Sequence, residues 1–242
     1  MNLVIDVGNT LVKIGLFEVG DLKLKKTFPK ELFTEVFRSI ESEYPQIKNI
    51  LVASVGKLAD EEIEFLEKKT DFISLNQNTP VPYQNKYGSP QTLGVDRMAL
   101  AAAAITEYPN KNVLVVDAGT CITYDLITEK GEYLGGGISP GILMRYKAVN
   151  YYTSNLPLLQ PDPPKELIGN NTATSLHLGI LNGARFEIDG FIDSYRKEYS
   201  NLTVILTGGD AHFLRDSIKN HIFANPIFLL KGLNYILDYN TN

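Results

Sequence analysis

One short pattern occurs twice. Ile5-Asp6-Val7-Gly8-Asn9-Thr10 and Val116-Asp117-Ala118-Gly119-Thr120 each end an apolar run with Asp, Gly and Thr, and Asp117 follows Asp6 by 111 residues. A stretch of strand character and then helical periodicity follows each copy. Long-period duplication reports on architecture, so it is weighed before any single motif. It predicts an α/β protein built from two similar halves that face each other across an interdomain cleft. Pro109 and Asn110 interrupt the pattern and set the expected boundary, giving domains at 1–109 and 110–242.

Local patterning fits that plan. Strands are expected at 2–7, 11–17, 22–28, 50–55 and 72–75, with a hairpin meander around Gly8-Asn9 and Gly20-Asp21. Leu32, Val36, Phe37 and Ile40 have helical spacing. Helices are also expected at 60–69, 95–107, 172–199 and 228–239. In the second half, strands are expected at 113–116, 121–127 and 202–206. Gly135 to Gly141 reads either as a flexible loop lining the cleft or as a glycine-rich β turn, with a Pro-rich loop beyond it. Gly179 and Gly183 lie four apart on the long helix, which is unfavourable unless another helix packs there, so a dimer contact is expected at that point.

Composition removes several function classes. The 242 residues are 44% hydrophobic and 21% charged, with 23 Lys and Arg against 28 Asp and Glu, a net charge of −5. Without a basic stripe, no nucleic-acid partner is expected. Cys121 is the single cysteine, so there is neither an internal disulfide nor a thiolate zinc cluster. His177, His212 and His221 lack metal-like spacing. The longest wholly apolar stretch, 98–105, falls far short of the ~20 residues that span a bilayer, and Asp6 breaks the first apolar run. A cytoplasmic protein without membrane contact is expected.

An Asp at a strand end, followed by Gly and Thr in a tight turn, suits phosphate chemistry. The carboxylate can hold hydrated Mg²⁺, main-chain N–H groups and the hydroxyl can bind phosphate oxygens, and glycine permits close approach. Asp6 is the Mg²⁺ candidate, and Lys13 can add positive charge. Ordinary turns use the same residues, but two copies in matched contexts favour a nucleotide site. There is no G-x-x-x-x-G-K-[ST], and Gly135 to Gly141 does not fit G-x-G-x-x-G, so P-loop and Rossmann readings fail.

Asp6 to Lys13 (DVGNTLVK), Gly94-Val95-Asp96-Arg97, Asp117 to Thr120 (DAGT), Gly136 to Gly141 (GGISPG), Thr207-Gly208-Gly209 and Leu230-Lys231-Gly232-Leu233 stand in a familiar order. Over nearly its whole length the chain resembles type III pantothenate kinases. The resemblance implies the acetate-and-sugar-kinase and actin superfamily, with two actin-like (ribonuclease H-like) domains, and a homodimer. It implies that ATP phosphorylates the terminal hydroxyl of pantothenate to give 4′-phosphopantothenate, the first step of coenzyme A biosynthesis. Asp96 is then the catalytic base. Asp6, Val7, Gly8, Asn9, Thr10, Leu11, Val12, Lys13 and Thr120 would bind ATP. Tyr87, Gly94, Val95, Asp96, Arg97 and Thr172 would bind pantothenate. Asp117 would hold a monovalent cation, K⁺ or NH₄⁺. Cys121 stands where the resemblance leads one to expect Ala. Alternatives are a kinase for another small alcohol and a non-catalytic nucleotide-binding regulator.

Overall fold

The computed structural model describes residues 1–8, 11–54, 60–68, 71–164 and 166–241. Asn9 and Thr10 of the first turn lie outside the described residues, as do Val55 and Lys69 at the expected ends of a strand and a helix. The chain opens with β1 (Asn2–Val7), β2 (Leu11–Glu18) and β3 (Asp21–Pro29), an antiparallel meander. Helix α1 (Phe33–Glu43) leads to β4 (Asn49–Ser54), and α2 (Asp60–Glu67) to β5 (Asp71–Ser74). Both later strands add in parallel, giving the order β3-β2-β1-β4-β5. Leu3 and Ile5 of β1 are buried with Phe33 and Phe37 of α1 and Leu66 of α2. Val4 and Leu51, which alternate to the opposite face, are also fully buried. The sheet is therefore covered on both sides, which explains why β1 reads as a continuous apolar run. A two-residue strand, β6 (Gln84–Asn85), precedes α3 (Val95–Glu107).

The second unit repeats the scheme. Strands β7 (Val113–Ala118), β8 (Cys121–Ile127) and β9 (Glu132–Pro140) form an antiparallel meander. Helix α4 (Ile142–Tyr151) follows, then α5 (Thr172–His177), which runs through a π-helical segment at 178–182 into α6 (Gly183–Glu198). Strands β10 (Thr203–Thr207) and β11 (Phe223–Ala224), separated by the short α7 (Ala211–Leu214), add in parallel. Among the strands of this unit the order is β9-β8-β7-β10-β11, matching that of the first. Its core joins Leu114, Val116 and Ala118 of β7 to Tyr146 of α4 and to Ala184 and Ile188 of α6.

Two features depart from the sequence reading. Gly135 to Gly137 lie in β9, not in a loop or turn. A β-carbon on Gly136 would lie 2.7 Å from the Tyr124 carbonyl carbon, so the glycines let this strand approach β8 closely. Helix α4 occupies the start of the expected Pro-rich loop.

The chain then returns to its beginning. Helix α8 (Phe228–Thr241) packs on α3 and on β1, β2 and β4. The two units are accordingly Met1–Pro109 with the segment from Ile227 onward, and Asn110–Pro226. The sequence reading placed the last helix in the second domain. Its buried Leu230, Leu233 and Leu237 instead complete the first.

Candidate functional site

In the first unit, the β1–β2 register sets Asp6 opposite Lys13, and Lys13 Nζ lies 3.2 Å from Asp6 Oδ2. Beside them, the Gly8 N–H donates to the Leu11 carbonyl at 3.0 Å, closing the turn. Asp6 is only 6% exposed. Burial pushes its carboxyl above the usual range, Lys13 opposes that shift, and the negative charge of Asp96 adds to it. Two carboxylates from strand and helix are thus close enough to repel each other. Val7 and Val12 point into the core and can offer a ligand only their main chain. Leu11 is exposed.

Asp96 lies in the first turn of α3, where the helix dipole favours a carboxylate. Its Oδ1 accepts the Arg97 N–H at 2.8 Å. Gly94, extended at φ −60° and ψ 137°, precedes the helix. A β-carbon there would overlap Asp96 Oδ1, so the bare glycine leaves room for the carboxylate to turn back over it. Val95, the first helical residue, is buried. Arg97 is buried too, with its guanidinium carbon 5.5 Å from the centre of the half-buried Tyr87 ring, within cation–π range. The Tyr87 N–H donates to Asn85 Oδ1 at 3.0 Å. The first unit therefore gathers Asp6, Lys13, Tyr87, Gly94, Asp96 and Arg97.

The second unit carries the other aspartate turn. Asp117 is half-buried at the end of β7, paired in register with Thr207 of β10, and Thr120 is exposed. Gly119 N–H donates to the Cys121 carbonyl at 2.9 Å, Gly141 N–H to the Thr120 carbonyl at 3.2 Å, and Asp210 N–H to the Ala118 carbonyl at 2.8 Å. Gly208, at φ 98°, passes so near that a β-carbon would lie 2.5 Å from the Ala118 carbonyl carbon and overlap Asp117 Oδ1. The Thr207-Gly208-Gly209 turn is thus a lid of main chain on Asp117. Cys121 is half-buried at the start of β8.

Thr172 is the exposed first residue of α5. Asn171 caps that helix, its side chain accepting the Thr174 N–H at 3.0 Å while Thr174 Oγ1 accepts the Asn171 N–H at 3.2 Å. The cap fixes the backbone at Thr172. The Asn-x-x-Thr spacing signals it in the sequence, but the reading above marks only the helix start. A polar cluster also went unread. Glu187 of α6 accepts from Tyr124 at 2.9 Å, Ser139 at 2.5 Å and Arg145 at 2.6 Å. Burial would raise the Glu187 carboxyl, but these donors together hold it below its usual range. The members come from four elements, so no local pattern announces them.

The sequence profile of the type III pantothenate kinase family matches residues 2–194. The chain is 47% identical over 240 residues to a type III pantothenate kinase from Christiangramia forsetii, covering 99% of each. The chain belongs to the type III pantothenate kinase family. Its fold is similar to that of a Campylobacter jejuni protein described as a conserved Baf family transcriptional activator, with TM-score 0.66, 24% identity and 98% of each chain covered. It is also similar to a glucokinase from an Antarctic psychrotroph, with TM-score 0.52, 14% identity and 98% of each chain covered. These structures show the fold, two α/β domains of actin-like architecture. This member of the type III pantothenate kinase family carries an aspartate turn in each of its two units. No helix among its described residues is long and apolar enough to cross a membrane.

Proposed function

We propose that this chain transfers the γ-phosphoryl group of ATP to the terminal hydroxyl of pantothenate, giving 4′-phosphopantothenate for coenzyme A synthesis. Family membership over the length of the chain supports the reaction. The observation that carries the site is Asp96 at the start of α3, close enough to the Asp6–Lys13 pair to perturb Asp6.

Phosphoryl transfer passes through a loose transition state, so positioning and charge neutralisation carry most of the catalysis. Asp96 orients the substrate hydroxyl and accepts its proton late, from a carboxylate held over Gly94. Tyr87, Gly94, Val95 and Arg97 form the pantothenate subsite, with Arg97 supplying positive charge against the Tyr87 face. Lys13 faces the ATP phosphates, and the β1–β2 turn from Val7 to Val12, including Asn9 and Thr10, offers main-chain donors. Thr120 contributes a hydroxyl to ATP, and Thr172 contributes one to pantothenate.

Kinases of this fold use ATP with a divalent metal. The described residues contain no cluster of three or more acidic, His or Cys side chains able to hold one. That suits Mg²⁺, which is commonly bound by one or two carboxylates, water and the substrate phosphates. Asp6 fits the role: it is nearly buried, has one cationic partner and is repelled by Asp96. Mg²⁺ supplies charge neutralisation on the phosphates; Asp6 orients it, through water. Asp117, beneath the Gly208 turn, is assigned a monovalent cation, K⁺ or NH₄⁺. The family's homodimer is assigned to the α5–α6 face, since Gly179, Gly183 and Gly190 have nothing within 4 Å of an added β-carbon. Sedimentation of Gly179→Leu as wild type would remove that assignment.

The deciding experiment incubates the protein with ATP, Mg²⁺, K⁺ and pantothenate and follows 4′-phosphopantothenate by mass spectrometry, with Asp96→Asn in parallel. Product from wild type alone is expected. Product from both excludes Asp96 as the base, and product from neither excludes the reaction. Full activity in sodium-only buffer would remove the cation from Asp117.

A further inference from the structure

The two carboxylates of the first unit sit on elements whose main connection is indirect. Asp6 is carried by β1 and Asp96 by α3. The principal packing partner of α3 is α8, and α8 in turn packs on β1, β2 and β4. One side of α8 is tied to the sheet through polar contacts. The Asn2 amide donates to Asn234 Oδ1 at 3.1 Å and to Asp238 Oδ1 at 2.6 Å, and Asn49 donates to Asn2 Oδ1 at 2.9 Å. Asn234 is 1% exposed and its partners are half-buried, so this partly buried joint leaves α8 little freedom to slide on β1.

The other side of α8 meets α3 at Gly232. A β-carbon on Gly232 would overlap the Ala99 carbonyl oxygen and lie 2.6 Å from the Ala99 carbonyl carbon. Those atoms are main chain and cannot rotate away. Ala99 is three residues beyond Asp96, less than one helical turn. Farther along α3, Glu107 accepts from Lys231 Nζ at 2.9 Å and from the Tyr235 hydroxyl. That contact lies about 16 Å from Asp96 along the helix.

We infer that Gly232 is a positioning residue: its bare α-carbon sets the depth at which α3 seats on α8, and so places the Asp96 carboxylate relative to Asp6. The residue touches neither substrate. It acts through Ala99 and the first turn of α3. This inference rests on Asp96 being the base, as proposed above.

Gly232→Ala forces α3 to move away from α8 at the end that bears Asp96. Displacing a reacting group by ~1 Å is worth about 100-fold in rate. A fall in kcat of about 10- to 100-fold is therefore expected, with KM for ATP unchanged because the Asp6–Lys13 turn does not move. Tyr235→Phe serves as the structural control. It weakens the same helix pair at the far end and is expected to lower Tm while keeping wild-type kcat. Should Gly232→Ala be too unstable to assay in plain buffer, it is assayed in an osmolyte such as TMAO, which favours the folded state, and is expected to show the same loss of kcat at unchanged KM for ATP relative to wild type in the same buffer.

Wild-type kcat in folded Gly232→Ala, with or without the osmolyte, overturns the inference. So does an equal loss of kcat in Tyr235→Phe, which would mark a general effect of stability. Wild type and Asp96→Asn are assayed alongside. No product from wild type overturns the activity reading and this inference with it, whereas product from both overturns the role of Asp96, and with it this inference, while the activity stands. Product from wild type alone, with a normal Gly232→Ala, overturns this inference only.

Discussion

Val19 sits at φ 50° and wholly exposed, beside Gly20 at φ 82°, in the two-residue loop joining β2 to β3. Positive φ at both positions defines the hairpin turn that Asn-Gly prefers, and a β-branched side chain is strained there. Val19→Asn is expected to stabilise the protein by about 1 kcal/mol, read as a higher urea midpoint at unchanged m. Gly94 is a different case. Its φ and ψ suit any residue, so Gly94→Ala is expected to leave Tm nearly unchanged. The new methyl displaces the Asp96 carboxylate instead, and kcat is expected to fall by about tenfold or more. Loss of stability without loss of kcat in that variant would show that the carboxylate finds another route. Gly94 was visible in the sequence as a motif residue, and the hairpin turn was read one residue late, at Gly20-Asp21. What each does was not visible, because the cause is a torsion angle in one case and a clash in the other.

Among the elements, the α3–α8 pair makes a pH prediction. Burial would raise the Glu107 carboxyl, but hydrogen bonds from Tyr235 and Lys231 and the Lys231 charge together lower it. A lowered folded-state value contributes stability above the unfolded carboxylate range, near 4.3, and loses it as pH falls through the folded value. Tyr235→Phe removes one donor. The deficit is expected to be about 1 kcal/mol at pH 7, reduced by partial exposure, and to shrink as pH drops below about 4. A pH-independent deficit would mean the hydroxyl acts by packing alone. How well elements could be read followed from how they are buried. Strands β1 and β7, covered on both faces, show as apolar runs, and α3 shows as an alanine-rich block. Helix α4 buries only Ile142 and Tyr146, too few to impose a helical period. Strand β9 hides behind Gly135 to Gly137, since a close approach to β8 removes the side chains that mark a strand. Asp6, Asp96 and Asp117 were legible as motif residues. The electrostatic influence of Asp96 on Asp6 was not, because it depends on how strand and helix seat in three dimensions.

At the scale of the whole chain, the duplication read from two aspartate turns reappears as two sheets of matching strand order. The symmetry is broken by α8, which follows the second unit in sequence but belongs to the first. Domains generally fold as units, with the N-terminal one leading during synthesis. Here the reverse order is expected. The segment from Asn110 to Pro226 is complete before α8 has been made, while β1, β2, β4 and α3 must wait for a helix encoded more than a hundred residues later. During synthesis the first unit is therefore expected to become native after the second. Pulsed hydrogen exchange during refolding is expected to protect amides of β7, β8 and β10 before those of β1 and β4, and the opposite order would mean that the first sheet closes without its helix. The carboxylates that the proposed chemistry needs first in sequence, Asp6 and Asp96, would then be set in place only when the chain is finished, so an unfinished chain bears the catalytic residues without the catalytic geometry.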